Sequence, residues 1–186
     1  MRGIKIYIFY FLSLLLVIDA QAQTSYKTDV LVIGASASGI AAGIQSARMG
    51  VQTIIAEPTT WLGGMITAAG VCAFDGNHSM PSGLFGEFRE ALHKVYGGAS
   101  KVSTGWVSNT LFEPHVGDSI FKSMVLHTKG LTVKYQFQFV SAIKNNNAIT
   151  GAIFLHLPTN QKVTIYAKQV IDATELGDVL ANAGVP

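Results

Sequence analysis

Gly34-Ala35-Ser36-Ala37-Ser38-Gly39 sets two glycines around small side chains, and Glu57 follows 23 positions after the first of them. Small residues at such a turn let a phosphate approach backbone N–H groups, which carry partial positive charge where a helix begins. A carboxylate at the end of the next strand is suited to accept hydrogen bonds from a ribose diol. The same carboxylate would repel a 2′-phosphate. The chemistry is recognition of a dinucleotide with an unphosphorylated ribose. One position departs from the usual pattern, since Ser36 stands where a middle glycine is common. Serine is small and its hydroxyl can donate to a phosphate oxygen, so the turn tolerates it.

Those residues need elements to hold them. The apolar run ending at Ile33 predicts a strand over Asp29–Ile33, followed by a helix over Ser38–Met49 and a second strand over Val51–Ala56. Gly34 permits a sharp exit from the first strand, while Gly39 and Gly43 let the helix lie close to the strands. Strand, glycine turn, helix, strand and terminal acid then stand in dinucleotide-site order. Pro58-Thr59-Thr60 ends the second strand, and Gly63-Gly64 opens an irregular stretch reaching about Gly83. Leu84, Phe88 and Leu92, with Phe85 and Val95, recur at helical spacing up to Gly97-Gly98, and a further helix is expected over Val116–Thr128. Beyond Gly130 the pattern becomes β-rich. Leu131–Ile143, Ala148–Leu157 and Lys162–Ile171 read as strands, separated by turns at Asn145-Asn146-Asn147 and Pro158-Thr159-Asn160. Asp178–Ala183 reads as helical.

The first 22 residues belong to another argument. Arg2 and Lys5 precede a nearly unbroken apolar stretch from Ile6 to Ile18, and Ala20-Gln21-Ala22 supplies a small-x-small cleavage pattern. That is the plan of a secretory signal peptide, so we expect export to the periplasm or beyond, with a mature chain starting near Gln23. The apolar core is shorter than the ~20 residues that span a bilayer, so no stable membrane span is expected after cleavage. Residues 23–186 are enough for one domain. The formal net charge is only +2 and no basic run occurs, which argues against a nucleic-acid partner. Cys72 is the one cysteine, so no internal disulfide holds the fold.

Two further segments narrow the ligand. Trp61-Leu62-Gly63-Gly64-Met65-Ile66-Thr67 follows the acid closely, and Ile171-Asp172-Ala173-Thr174-Glu175 with Gly177-Asp178 follows the late strands. Together with the turn, with Phe112–Asp118 and with Ala183-Gly184-Val185-Pro186, they resemble the FAD-dependent oxidoreductases of bacterial secreted proteins. These are related to glutathione-reductase-like and succinate-dehydrogenase-like flavoproteins, and some carry the label xanthan lyase, which says nothing firm about the reaction. The resemblance implies an α/β fold: a Rossmann-like parallel sheet that binds FAD, with an antiparallel β-meander crossover. It further implies a truncated chain, an N-terminal FAD-binding portion without its substrate domain.

By that likeness Gly34, Ser36, Ser38 and Gly39 hold the FAD pyrophosphate, and Glu57 binds the adenosine ribose. Leu62, Gly63, Gly64 and Met65 line the flavin side, where a flat ring needs bare backbone against it. Val140 matches a position whose backbone meets adenine, Ala173 and Thr174 lie at a strand end beside the cofactor, and Asp178 is a ribityl or phosphate-linked contact. The implied activity is transfer of a hydride or electrons to flavin from a small-molecule or carbohydrate-related donor.

The remaining reactive residues make no centre. Cys72 reads as a small core thiol, His115 beside Pro114 as a helix-start residue and His78 as part of a polar loop. No His, Cys or Asp cluster has metal spacing, and neither Ser36 nor Ser38 sits in a G-x-S-x-G elbow. Catalytic residues stay unassigned. Two other readings stand beside the first: an NAD-linked dehydrogenase, and a truncated nucleotide-binding module without turnover.

Overall fold

Alternation along the first strand decides how the layers form. In the computed structural model, which describes residues 24–80 and 82–184, strand β1 runs Ser25–Ile33. Val30 and Val32 face one core, Leu31 and Ile33 the other, so both faces of the strand are covered. The expected signal peptide, residues 1–22, lies outside the described residues, as do Val185 and Pro186.

Helix α1, Ala37–Arg48, buries Gly39, Ile40, Gly43, Ile44 and Ala47 on one stripe. A Cβ at Gly43 would stand 2.5 Å from the Ile55 side chain, so the helix lies directly on strand β2, Thr53–Glu57. A 3₁₀ turn at Gly64–Ile66 follows, then α2 (Gly83–Tyr96), the short α3 (Ala99–Val102) and α4 (Pro114–Leu126). Phe88 of α2 stacks on Phe121 of α4 at 4.4 Å and meets Phe74 and Phe112 edge-on, which locks these helices under α1.

The late β region differs from the sequence expectation. The run Leu131–Ile143 is two strands, β3 (Leu131–Tyr135) and β4 (Phe137–Asn145), hinged at Gln136 with φ +61°. β5 (Ala148–His156), β6 (Gln161–Asp172) and the short helix α5 (Asp178–Ala183) complete the chain. The sheet order is β3-β2-β1-β6-β5-β4. β3, β2, β1 and β6 are parallel, whereas β4, β5 and β6 form the antiparallel meander. β3 and β4, one residue apart in sequence, thus belong to opposite edges. Phe137 and Phe154 of the meander pack with Ile54 and Ala56, covering the face of the sheet away from α1. Among the described residues no helix is long and apolar enough to cross a membrane.

Candidate functional site

The carboxyl ends of β1, β2 and β6 converge, and the turns leaving them build the site. Gly34 leaves β1 with φ +96°, and a Cβ there would sit 2.5 Å from the Ala173 carbonyl oxygen. Only glycine allows this turn to close against the end of β6. Ser36 caps α1: its Oγ accepts from the Gly39 N–H at 3.2 Å, donates to the Ala173 carbonyl at 3.0 Å and lies 2.9 Å from Ser38 Oγ. A consistent proton count has Ser38 donating to Ser36. The hydroxyl therefore ties helix start to strand end, a geometry a glycine could not supply.

Glu57 is buried at the end of β2, and its carboxylate is well occupied. Oε2 accepts from the Ala35 N–H at 2.8 Å; Oε1 accepts from Thr59 N–H at 2.9 Å and Thr59 Oγ1 at 2.8 Å. Three of roughly four lone-pair sites are used, and one acceptor remains for a ligand hydroxyl. The carboxylate thus shapes the glycine turn as well as facing the cavity. Thr59 has no sequence signal beyond its position after Pro58.

The Leu62–Met65 segment divides into two roles. Leu62 is fully buried and its N–H donates to the Asp118 carboxylate at 2.8 Å. Lys122 pairs with the other oxygen of Asp118 at 2.6 Å. A Cβ at Gly63 would meet Thr67 and Phe121, so Gly63 faces the core. Gly64, with φ +53°, and Met65 turn to the cavity instead. Leu62 and Gly63 accordingly anchor the loop rather than line it, and Asp118, read in the sequence only as the end of the Phe112–Asp118 segment, is the anchor.

Asp172 ends β6 and organises the opposite wall. Oδ1 accepts from Thr174 N–H and Thr174 Oγ1, while Oδ2 accepts from the Val179 and Leu180 N–H groups at 3.0 Å each. Ala173 and Thr174 are held beside the glycine turn by these bonds.

Between these walls lies a cleft of about 510 Å³. Gly34, Ser36, Glu57, Gly64, Met65, Ala173, Thr174 and Asp178 all line it. Ser38 and Gly39 stand just behind, in the first turn of α1; Gly39 is packed against the Gly34 carbonyl. Val140 does not line it. The β4–β5 register slips between Phe139 and Ser141, which leaves Val140 as the bulged residue, and Gln138 and Phe139 reach the cleft instead. Among the described residues no Lys, Arg or His lines the cleft, so an anion there depends on backbone N–H groups and the α1 dipole. Burial, then the charges of Asp118 and Glu57, push the nearby Tyr135 phenol above its usual range.

The other residues weighed in the sequence lie elsewhere. Cys72 is half-buried against the helical core. His115 is the second residue of α4, and His78 sits in the loop before α2, its carbonyl accepting from Arg89 at 3.1 Å. Among the described residues no three His, Cys, Asp or Glu side chains are grouped to hold a metal.

A protein-family model described as FAD dependent oxidoreductase matches residues 29–186. No curated protein sequence matches the chain. Solved structures share the fold. THI4 from Thermovibrio ammonificans is 18% identical with a TM-score of 0.56, over 100% of this chain and 72% of that one. A geranylgeranyl bacteriochlorophyll reductase-like protein from Thermoplasma acidophilum is 18% identical with a TM-score of 0.55, over 87% and 43%. L-proline dehydrogenase from P. horikoshii is 14% identical with a TM-score of 0.50, over 85% and 25%. The chain spans less than half the length of the last two.

Proposed function

The chain belongs to the FAD-dependent oxidoreductase family, and from that premise we propose that the cleft at the carboxyl ends of β1, β2 and β6 is its FAD site. One observation carries the reading: the Gly34–Gly39 turn, braced by the Glu57 carboxylate on the Ala35 N–H, opens directly onto the cleft.

The residues fit the group. The α1 start and the glycine turn hold the pyrophosphate, with Ser36 able to turn its hydroxyl from the Ala173 carbonyl to a phosphate oxygen. Ser38 and Gly39 support the same turn. The spare acceptor on Glu57 takes the adenosine ribose, and Gln138 and Phe139, rather than Val140, meet the adenine side. Gly64 and Met65 face the flavin, backed by Leu62 and Gly63, while Ala173, Thr174 and Asp178 close the far wall. Bound FAD supplies the two-electron acceptor; the chain's own work is to orient it and exclude water. In the whole protein the electrons come from a small organic donor, of carbohydrate type on the resemblance alone. Export of the chain through residues 1–22 is part of the same proposal.

The test is retention of cofactor by the purified protein. A yellow protein that keeps flavin absorbance through gel filtration, or regains it on reconstitution, supports the reading. Saturable NAD binding with no flavin binding would overturn it in favour of an NAD-linked enzyme.

A further inference from the structure

Glu175 follows Thr174 on the wall that closes the cleft, and its carboxylate reaches across to the opposite wall. Oε1 accepts from the Met65 N–H at 3.3 Å, where the 3₁₀ turn begins. It lies so close over Gly64 that a Cβ on that residue would collide with it, and the same point is 3.0 Å from the Ser36 Cα. A negative oxygen thus lies over Gly64, whose Cβ position is itself against Ser36 at the start of α1. In the proposed site that corner is where the pyrophosphate held at the α1 start leads on to the flavin facing Gly64 and Met65.

Two neighbouring carboxylates show how different this one is. Asp172 is pinned by four donors and Glu57 by three, so both are part of the framework. Glu175 is exposed and is held by one long hydrogen bond. Among the described residues no cation lines the cleft, so no side-chain charge offsets this carboxylate against an incoming diphosphate. A phosphate and this carboxylate cannot share the same few ångströms or the same N–H group.

We propose that Glu175 is an internal competitor for the anion position. Its carboxylate bridges the β6–α5 segment to the Met65 turn in the cofactor-free protein, and it must swing out when the diphosphate enters. The proposal rests on the FAD reading of the cleft. Its consequence runs against the usual effect of a cleft mutation, because removing the side chain tightens binding.

The experiment is calorimetric titration of the full chain and of Glu175→Gln and Glu175→Ala with FAD, ADP and riboflavin. Both variants are exposed substitutions, and each is checked for a wild-type-like melting profile. Glu175→Ala is expected to bind FAD and ADP more tightly by roughly three- to tenfold, Glu175→Gln by less, and riboflavin, which has no diphosphate, without change. Faster hydrogen exchange at the Met65 amide in cofactor-free Glu175→Ala is the second expected sign. Unchanged or weaker FAD and ADP binding by both variants would overturn the proposal while leaving the FAD site intact. Failure of the wild type and both variants to bind FAD or ADP would overturn the FAD reading itself, and this inference with it.

Discussion

The two ends of the parallel sheet offer two cavities of opposite character. At the amino end, a groove of about 710 Å³ runs between the close of α1 and the α4–β3 turn, and Arg48, His127 and Lys129 line it. The cleft at the carboxyl end is smaller, about 510 Å³, and has no cationic side chain among the described residues. Size and basic charge both favour the first as an anion site, yet the physics favours the second. Arg48 is already paired with Glu87 at 2.7 Å, and α1 presents its negative end there. Addition of a Cβ to Gly50 would meet nothing within 4 Å, so no close approach explains that glycine. At the carboxyl end, Gly34 and Gly64 are tight against named atoms, a buried carboxylate braces the turn, and the positive end of α1 points in. Preorganised backbone makes a nucleotide site; exposed charges on a wide groove do not.

That contrast breaks most sharply at Gly34. Gly34→Val forces a β-branched residue to φ +96° and drives its Cβ into the Ala173 carbonyl. The cost is on the order of 3 kcal/mol or more, and loss of flavin binding with a lowered melting temperature is expected. Glu57→Gln comes next. An amide cannot accept at both ends, so either the Ala35 N–H or the Thr59 donors lose a partner, at about 1–3 kcal/mol. FAD and ADP binding should weaken by about tenfold or more while riboflavin binding changes little. Asp118→Asn acts one layer further out, on the Leu62 N–H and Lys122. A stability loss of about 1–2 kcal/mol with a smaller loss of FAD affinity is the expected outcome of denaturant and binding titrations.

At the amino end the effects should be small. The Arg48 guanidinium holds the Glu87 carboxyl below its usual range, and Lys168, then the Gln52 N–H, do the same for Asp29. Groups lowered in the folded state stabilise it above their unfolded pKa and lose that contribution as pH falls through the lowered folded value. Melting temperature should therefore sag modestly below about pH 4, and Arg48→Ala should flatten part of that fall without touching flavin affinity.

The first βαβ unit was legible because all its signals are local. A continuous apolar run, two spaced glycines and a strand-ending acid lie within 29 residues, Asp29–Glu57. The β3–β4 division was hidden, since Gln136 interrupts a run of β-branched and aromatic residues without any glycine, proline or asparagine. Val140, placed by resemblance, does lie on β4, at the residue where the β4–β5 register shifts, which no local pattern marks. The contacts of two carboxylates that the resemblance segments already contained were hidden for a different cause. Asp118 meets Leu62 across 56 residues and Glu175 meets Met65 across 110, and no spacing in the chain announces such pairs. Sequence pattern marks the backbone that touches a ligand; the side chains that brace that backbone emerge only from packing.

Side-by-side equilibrium titration of wild type, Glu57→Gln and Arg48→Ala with FAD, followed by flavin fluorescence, tests the central claim most directly. The account predicts that wild type and Arg48→Ala saturate alike while Glu57→Gln binds distinctly more weakly. Loss of binding in Arg48→Ala with Glu57→Gln unaffected would put the cofactor at the wrong end of the sheet and contradict it.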